Sequence, residues 1–129
     1  SSVYVSKIVE ELQDDHFMIV LHNCGNAGHC TAAMVETKAA AVHFGNKIDM
    51  VNALAECPGD VLAMGNIDPV GIMKQASPEK VKEETMALLQ NTAKWKNFVL
   101  STGCDVPPEI PIKNIEAFYE ALDEYNNRL

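Results

Sequence analysis

The chain carries four short apolar runs, each followed closely by glycine and separated from the next by a helical pattern, and this alternation restricts its fold more than any other feature. The runs predict β-strands at residues 17–21, 41–44, 61–64 and 98–102. The first run is five apolar residues without interruption, which predicts a strand buried on both faces. Strands that alternate with helices favour right-handed crossovers and a parallel sheet.

Helical spacing of apolar residues fills the segments around the strands. Helices are predicted at residues 3–13, 27–39, 48–55, 78–95 and from 114 onward. The stripe of the first helix consists of Tyr4, Ile8 and Leu12, and that of the last consists of Ile115, Phe118, Leu122 and Tyr125. The order is therefore a helix followed by four strand-and-helix units. Four such units are half of a (β/α)8 TIM barrel, which occupies about 250 residues. A small doubly wound sheet would also accommodate four strands, and periodicity alone does not choose between the two.

Charge and cysteine content exclude several classes of function. The net charge is -8 and no basic cluster occurs, which argues against nucleic acid and anionic membrane surfaces as partners. No apolar run approaches the roughly 20 residues of a membrane span, and no signal segment is visible at the N-terminus. The four cysteines lack the regular spacing of a disulfide framework. These features favour a reducing cytoplasm, in which thiols are free to bind metal.

A candidate metal site follows from the ends of the first and last predicted strands. His22 and Cys24 follow the first strand, and Cys104 follows the last. Imidazole and thiolate are preferred zinc ligands, and the carboxyl ends of parallel strands gather at one edge. Three protein ligands would leave a fourth position open for substrate, which is typical of a catalytic zinc site. The alternative is that the cysteines are small apolar fillers at the strand ends.

Other residues compete for a place at this edge. His29 and Cys30 could also reach a metal, although adjacent helical side chains diverge by about 100°. Cys57, before Pro58, is predicted to be a buried filler. His43, at the end of the second strand, could complete the zinc shell, act as an acid or base, or be a core histidine.

Asparagine and aspartate follow several predicted strands. Asn66 and Asp68 are suited to hydrogen bonds with a substrate, as are Asn26 and Asn46. Each of these is a weak signal alone, because Gly-Asn is also common turn chemistry.

Five motifs together resemble one known superfamily. They are H-N-C-G-N at 22–26, M-G-N-I-D-P at 64–69, S-P-E-K-V at 77–81, S-T-G-C-D-V-P-P at 101–108 and P-I-K-N-I-E-A at 111–117. Their order over the whole chain resembles the uroporphyrinogen decarboxylase superfamily, and more closely its methylcobalamin:coenzyme M methyltransferase branch. Those methyltransferases carry H-x-C and a distant cysteine as zinc ligands on a TIM barrel. The decarboxylases lack this pair of cysteines.

The resemblance implies a fold and a function. The expected fold is the C-terminal half of a (β/α)8 barrel, with residues 1–129 as one fragment of a longer domain. The expected cofactor is zinc, held by His22, Cys24 and Cys104. The methyl donor would be methylcobalamin or a methylated corrinoid protein, and the acceptor would be a small thiol. Since a half barrel leaves two open strand edges and an apolar inner face, the isolated fragment is expected to form a homo-oligomer. It is also expected to be inactive alone, because the missing half must form part of the pocket wall.

The match departs from the family at one position. The methyltransferases have an acidic residue near the end of the strand after H-x-C, whereas this chain has His-Phe-Gly-Asn at 43–46. His43, Glu36 or water could take that place.

The expected catalytic residues are His43, Asn66 and Asp68. A decarboxylase is the alternative enzyme, but it would be expected to have arginines around its carboxylated substrate, and Arg128 is the only arginine here. A zinc-binding barrel fragment without catalysis is the other alternative.

Overall fold

The computed structural model describes residues 1–25 and 30–129. The elements within these residues are α1 (Ser2–Leu12), β1 (Val20–Asn23), α2 (Thr31–Val35), β2 (Ala41–Phe44), α3 (Met50–Glu56), β3 (Leu62–Ile67), α4 (Pro78–Asn91), β4 (Phe98–Thr102) and α5 (Ile112–Asn127). This order confirms the predicted alternation of strands and helices.

The four strands form one parallel sheet in the order β1-β2-β3-β4. His22 on β1 pairs with His43 on β2, and His43 pairs with Met64 on β3. Sequential order confirms the barrel-type arrangement, because a doubly wound sheet reverses its strand order part-way along the chain. All four carboxyl ends therefore lie at one edge of the sheet.

The first strand differs from its prediction. Strand β1 begins at Val20 and contains His22, whereas residues 17–21 were expected to form a strand buried on both faces. Phe17 and Met18 are 56% and 55% exposed. The physical reason is the position of β1 at the edge of the four-stranded sheet, where it pairs only with β2 among the described residues.

Several element boundaries are also corrected. Helix α2 begins at Thr31, and residues 26–29 lie outside the described residues. Strand β3 continues through Gly65 and Asn66, which were predicted to follow it, and it pairs with β4 along that length. Helix α3 begins at Met50 rather than at residue 48, because the side chain of Asp49 caps it.

The two long C-terminal helices have shifted ends as well. Helix α4 ends at Asn91 rather than at residue 95, with Thr92 at its C-cap. Helix α5 begins at Ile112, two residues earlier than predicted, because Pro111 is accommodated at its N-cap, where no helical hydrogen bond from its nitrogen is needed.

The core lies between the sheet and the helices. One cluster contains Val42, Phe44, Leu54 and Ala63, and a second contains Ile67, Val81 and Phe118. The stripe predicted for α5 is partly wrong, because its buried residues are Asn114, Ala117, Phe118 and Ala121.

The first helix is confirmed, but its predicted apolar stripe is exposed. Tyr4, Ile8 and Leu12 are 72%, 52% and 56% exposed, and Val9 is the buried residue of α1. These side chains leave an exposed apolar surface on α1. Within the described part of the chain, no helix combines the length and the apolar character that crossing a membrane requires.

Candidate metal centre

His22 lies in strand β1 near the carboxyl edge of the sheet, and its side chain is exposed. Its Nδ1 atom is 3.2 Å from the main-chain oxygen of His43. Because a carbonyl oxygen only accepts hydrogen bonds, Nδ1 is the donor in this contact, and Nε2 is the ring nitrogen left to face a metal ion. Neutral imidazole with a free Nε2 is the form that binds a metal ion.

The structure brings His22, Cys24 and Cys104 together. Their potential ligand atoms all lie within 4.8 Å of one another, and in the described residues they form the one group of three or more metal-binding side chains found at such distances. Both cysteines are free thiols, Cys24 exposed and Cys104 half-buried. Three side chains that are distant in sequence therefore converge at the carboxyl edge.

Two glycines allow the strand ends to approach so closely. A Cβ atom added to Gly45 would lie 2.7 Å from the main-chain oxygen of Cys24. A Cβ atom added to Gly103 would lie 2.9 Å from the Cα of Asn46. Both distances are shorter than real Cβ contacts. The segment that carries Cys24 thus packs against Gly45, just after β2. The next residue, Asn46, packs against Gly103, which precedes Cys104.

The donor set fits zinc. One imidazole nitrogen and two thiolates are a common zinc ligand set, with bonds of about 2.0–2.3 Å. Such bonds in a tetrahedral site place the ligand atoms roughly 3.5 Å apart, so binding requires side-chain shifts of about 1 Å. Exposure of His22 and Cys24 leaves room for those shifts.

His43 neighbours this cluster without joining it. Its ring centroid is 4.6 Å from that of His22, and its Nε2 atom is 2.7 Å from the main-chain oxygen of Thr102. Glu36 is at the C-cap of α2 and lines a groove with Gln13 and Lys38 instead. Neither residue is in the group of metal-binding side chains identified within residues 1–25 and 30–129.

Asn66 holds the main chain that follows β2, and Asp68 holds the turn that follows β3. The Asn66 amide nitrogen donates to the main-chain oxygens of Gly45 and Ile48, at 2.9 and 2.6 Å. Asp68 Oδ1 accepts from the main-chain nitrogens of Val70 and Gly71, both at 2.9 Å. Their catalytic roles stay predictions.

The remaining cysteines and histidine differ in placement. Burial, with a smaller contribution from the neighbouring Glu56 carboxylate, raises the pKa of the Cys57 thiol from 9.0 to about 11. This agrees with the predicted role of Cys57 as a buried filler. Cys30 is half-buried at the N-cap of α2, and His29 lies outside the described residues.

Sequence reasoning missed Thr102 and the two packing glycines. Thr102 Oγ1 donates to the main-chain oxygen of Cys104 at 2.8 Å, which fixes the turn that carries this thiol. The recurrence of glycine after each predicted strand was the signal available for Gly45 and Gly103.

The fold and the site together define a parallel α/β protein of the TIM-barrel type with a histidine and two cysteines at its carboxyl edge. The chain belongs to the uroporphyrinogen decarboxylase (URO-D) family, whose family model matches residues 1–125.

Relatives with different activities match this chain at similar identity. A methylcobamide:CoM methyltransferase, MtbA, of Methanosarcina mazei is 26% identical over 122 residues, which are 95% of this chain and 34% of the relative. A uroporphyrinogen decarboxylase of Idiomarina loihiensis is 30% identical over an alignment of 129 positions that covers 98% of this chain and 36% of the relative. The chain thus spans about a third of the length of these relatives.

A solved structure confirms the fold. A methyltransferase from Methanosarcina mazei superposes with a TM-score of 0.84 at 21% sequence identity, covering 97% of this chain and 35% of that structure. At this identity the likeness supports the architecture alone.

Proposed function

We propose that this chain is part of a zinc-dependent enzyme that transfers a methyl group from a methylcorrinoid to a thiol. The observation that carries the proposal is the convergence of His22, Cys24 and Cys104 within 4.8 Å at the carboxyl edge of the sheet. Chemistry in parallel barrels is located at that edge. The MtbA relatives named above are the support for a methylcorrinoid donor and a thiol acceptor.

Zinc, when bound, would lower the pKa of a coordinating thiol and so supply a thiolate at neutral pH. Cys24 and Cys104 would hold the ion as thiolates and add negative charge, which keeps an acceptor sulfur electron-rich. His22 would bind through Nε2, since its Nδ1 donates to the oxygen of His43. In the transfer, the acceptor sulfur forms a bond to the methyl carbon. The cobalt–carbon bond breaks, and its electron pair remains on cobalt.

Residues beside the cluster would position the substrates. We assign catalytic roles to His43, Asn66 and Asp68, all at or just past strand ends on the same edge. The Nδ1 atom of His43 is available to accept a hydrogen bond from a substrate, because its Nε2 faces Thr102. The Oδ1 atom of Asn66 could likewise accept one, while its amide nitrogen holds the main chain.

The proposal also concerns the parent protein. We assign residues 1–129 to the C-terminal half of the family's barrel, which stays a prediction. The missing part of the edge would form the rest of the pocket, so this chain alone should bind zinc without transferring methyl groups. A reducing cytoplasm suits its four free cysteines.

A uroporphyrinogen decarboxylase activity is the second candidate, because several relatives carry that name at 28–30% identity. Such an activity would require cationic groups for a substrate with several carboxylates. Arg128 pairs with Glu124 at the end of α5 and is the chain's only arginine. This composition favours the methyltransferase.

The test uses the longer parent protein. Methylcobalamin absorbance is followed with a small thiol present and with the thiol left out. Thiol-dependent loss of methylcobalamin that disappears in a Cys24→Ala parent, together with its zinc, is expected. Release of carbon dioxide from uroporphyrinogen without thiol-dependent loss of methylcobalamin would support the decarboxylase instead. A Cys24→Ala parent that lost its zinc but kept full methyl transfer would reject the proposed mechanism.

A further inference from the structure

We propose that His43, besides the substrate contact assigned to its Nδ1 atom above, is a positioning residue that joins the ends of β1 and β4 so that the three metal-binding side chains meet. This inference rests on the zinc site of the proposed function. In this role His43 does not bind the metal itself. Its Nε2 proton and its main-chain oxygen make the contacts that hold the two strand ends together.

On the β1 side, His43 makes two contacts with His22. Its main-chain oxygen accepts the Nδ1 proton of His22 at 3.2 Å, and the two rings lie 4.6 Å apart at 36°. The first contact selects the His22 tautomer whose Nε2 is free for a metal. The second restricts rotation of an otherwise exposed ring.

On the β4 side, His43 reaches over strand β3. Its Nε2 atom donates to the main-chain oxygen of Thr102 at 2.7 Å, although β2 and β4 are not neighbours in the sheet. The Thr102 hydroxyl then donates to the oxygen of Cys104 at 2.8 Å. His43 and Thr102 together thus link the position of His22 with that of Cys104.

The same hydrogen bond argues against His43 as a zinc ligand through Nε2. A nitrogen that donates its proton to a carbonyl has no lone pair for a metal. His43 is also outside the group of three metal-binding side chains found in the described ranges. The fourth zinc position would therefore stay open for substrate.

The matched variants are His43→Gln and His43→Asn. A glutamine amide nitrogen can occupy the position of the imidazole Nε2 and donate to Thr102, whereas the shorter asparagine amide corresponds to Nδ1 and cannot reach it. Both variants are neutral and polar. Thr102→Val and Thr102→Ser form a second pair, of which only serine keeps the hydroxyl that bonds to Cys104. His16→Ala, an exposed histidine between α1 and β1, is the control.

The experiment titrates the 129-residue chain with Co²⁺ and measures affinity and the absorption spectrum, with circular dichroism to check folding. His43→Asn and Thr102→Val should bind Co²⁺ about 10- to 100-fold more weakly, as is typical when a group supporting a metal ligand is lost. His43→Gln, Thr102→Ser and His16→Ala should bind within about threefold of the wild type, with the same thiolate-to-cobalt band.

Each other outcome is informative. If His43→Gln bound as weakly as His43→Asn and also changed the cobalt spectrum, His43 would be a ligand and the inference would be wrong. Equal affinity in all folded variants would also overturn it. If His43→Asn failed to fold, the two Thr102 variants would provide the test. Equal Co²⁺ affinity of Thr102→Val and Thr102→Ser would then overturn the inference. A wild-type chain that bound no cobalt would reject the proposed zinc site, and this inference with it.

Discussion

The imidazole rings of His22 and His43 lie 4.6 Å apart, on residues that are paired in the register of β1 and β2. The same two residues share a hydrogen bond from Nδ1 of His22 to the main-chain oxygen of His43. A register shift of one residue would turn His22 to the other face of the sheet. The metal centre therefore depends on strand pairing as much as on the identity of its ligands.

Replacement of either cysteine in the cluster should remove metal from the chain. Cys24→Ala or Cys104→Ala leaves two ligands, which hold zinc poorly. We expect about one zinc per chain in the wild type and less than roughly a tenth of that in either variant, measured by elemental analysis after purification without chelator. Cys57→Ala is the matched control, because Cys57 is buried outside the cluster. Equal zinc content in all three variants would contradict the assigned ligands.

An alanine at Gly103 should disturb the site without touching a ligand. Its Cβ would lie 2.9 Å from the Cα of Asn46, so the segment leading to Cys104 must move. We expect the free energy of unfolding to fall by about 1–3 kcal/mol and metal affinity to fall with it. Gly59→Ala is the control, because nothing lies within 4 Å of its added Cβ. It should leave the free energy of unfolding and the metal affinity nearly unchanged. Urea unfolding and Co²⁺ titration of the two variants provide the comparison.

Asn66 and Asn97 form a matched pair that separates structure from catalysis. Each amide nitrogen donates to two main-chain oxygens, those of Gly45 and Ile48 for Asn66 and those of Pro58 and Val61 for Asn97. Replacing either with alanine should cost about 1–3 kcal/mol, because two partly buried carbonyls lose their partners. In the parent protein, only Asn66→Ala should lower methyl transfer beyond its loss of stability. Similar activity of the two variants would argue against a catalytic role for Asn66.

The order and direction of the strands could be predicted from the sequence, because parallel β-α units leave a clear alternation of apolar runs and helical stripes. The position of β1 could not, because an apolar run such as 17–21 gives no signal that it lies at the edge of the sheet. The proximity of His22, Cys24 and Cys104 could be predicted, because all three lie at the ends of predicted strands. The role of Thr102 could not be predicted, since its contact with His43 crosses a strand and depends on barrel geometry.

The buried thiol of Cys57 should make stability fall at alkaline pH. Burial raises its pKa to about 11, above its ordinary value of 9.0, so the unfolded chain loses this proton first. Its contribution is complete below pH 9 and is lost as pH rises toward 11. The free energy of unfolding should therefore fall more between these pH values in the wild type than in Cys57→Ala. Urea titrations of both proteins across this pH range would measure the difference. An equal fall in the free energy of unfolding would contradict the raised pKa of Cys57.

The isolated chain should associate through its open strand edges. Strands β1 and β4 each have one unpaired side within the described sheet, and apolar side chains such as Phe17 and Met18 are exposed beside β1. Two copies related by a two-fold axis along the barrel would place β4 of each beside β1 of the other, in parallel. Unpaired edges and apolar surface both favour such pairing.

Light scattering at micromolar concentration should therefore give a mass near twice the 14.1 kDa of one chain. Val20→Lys, at a β1 position that is 43% exposed, should shift the chain toward monomer, since a charged edge resists strand pairing. Val70→Lys, which is similarly exposed at 46% but lies in the turn after β3, should leave the association unchanged. A wild-type chain that scattered as a monomer would contradict the pairing. Equal effects of the two lysines would show that association uses a surface other than the strand edge.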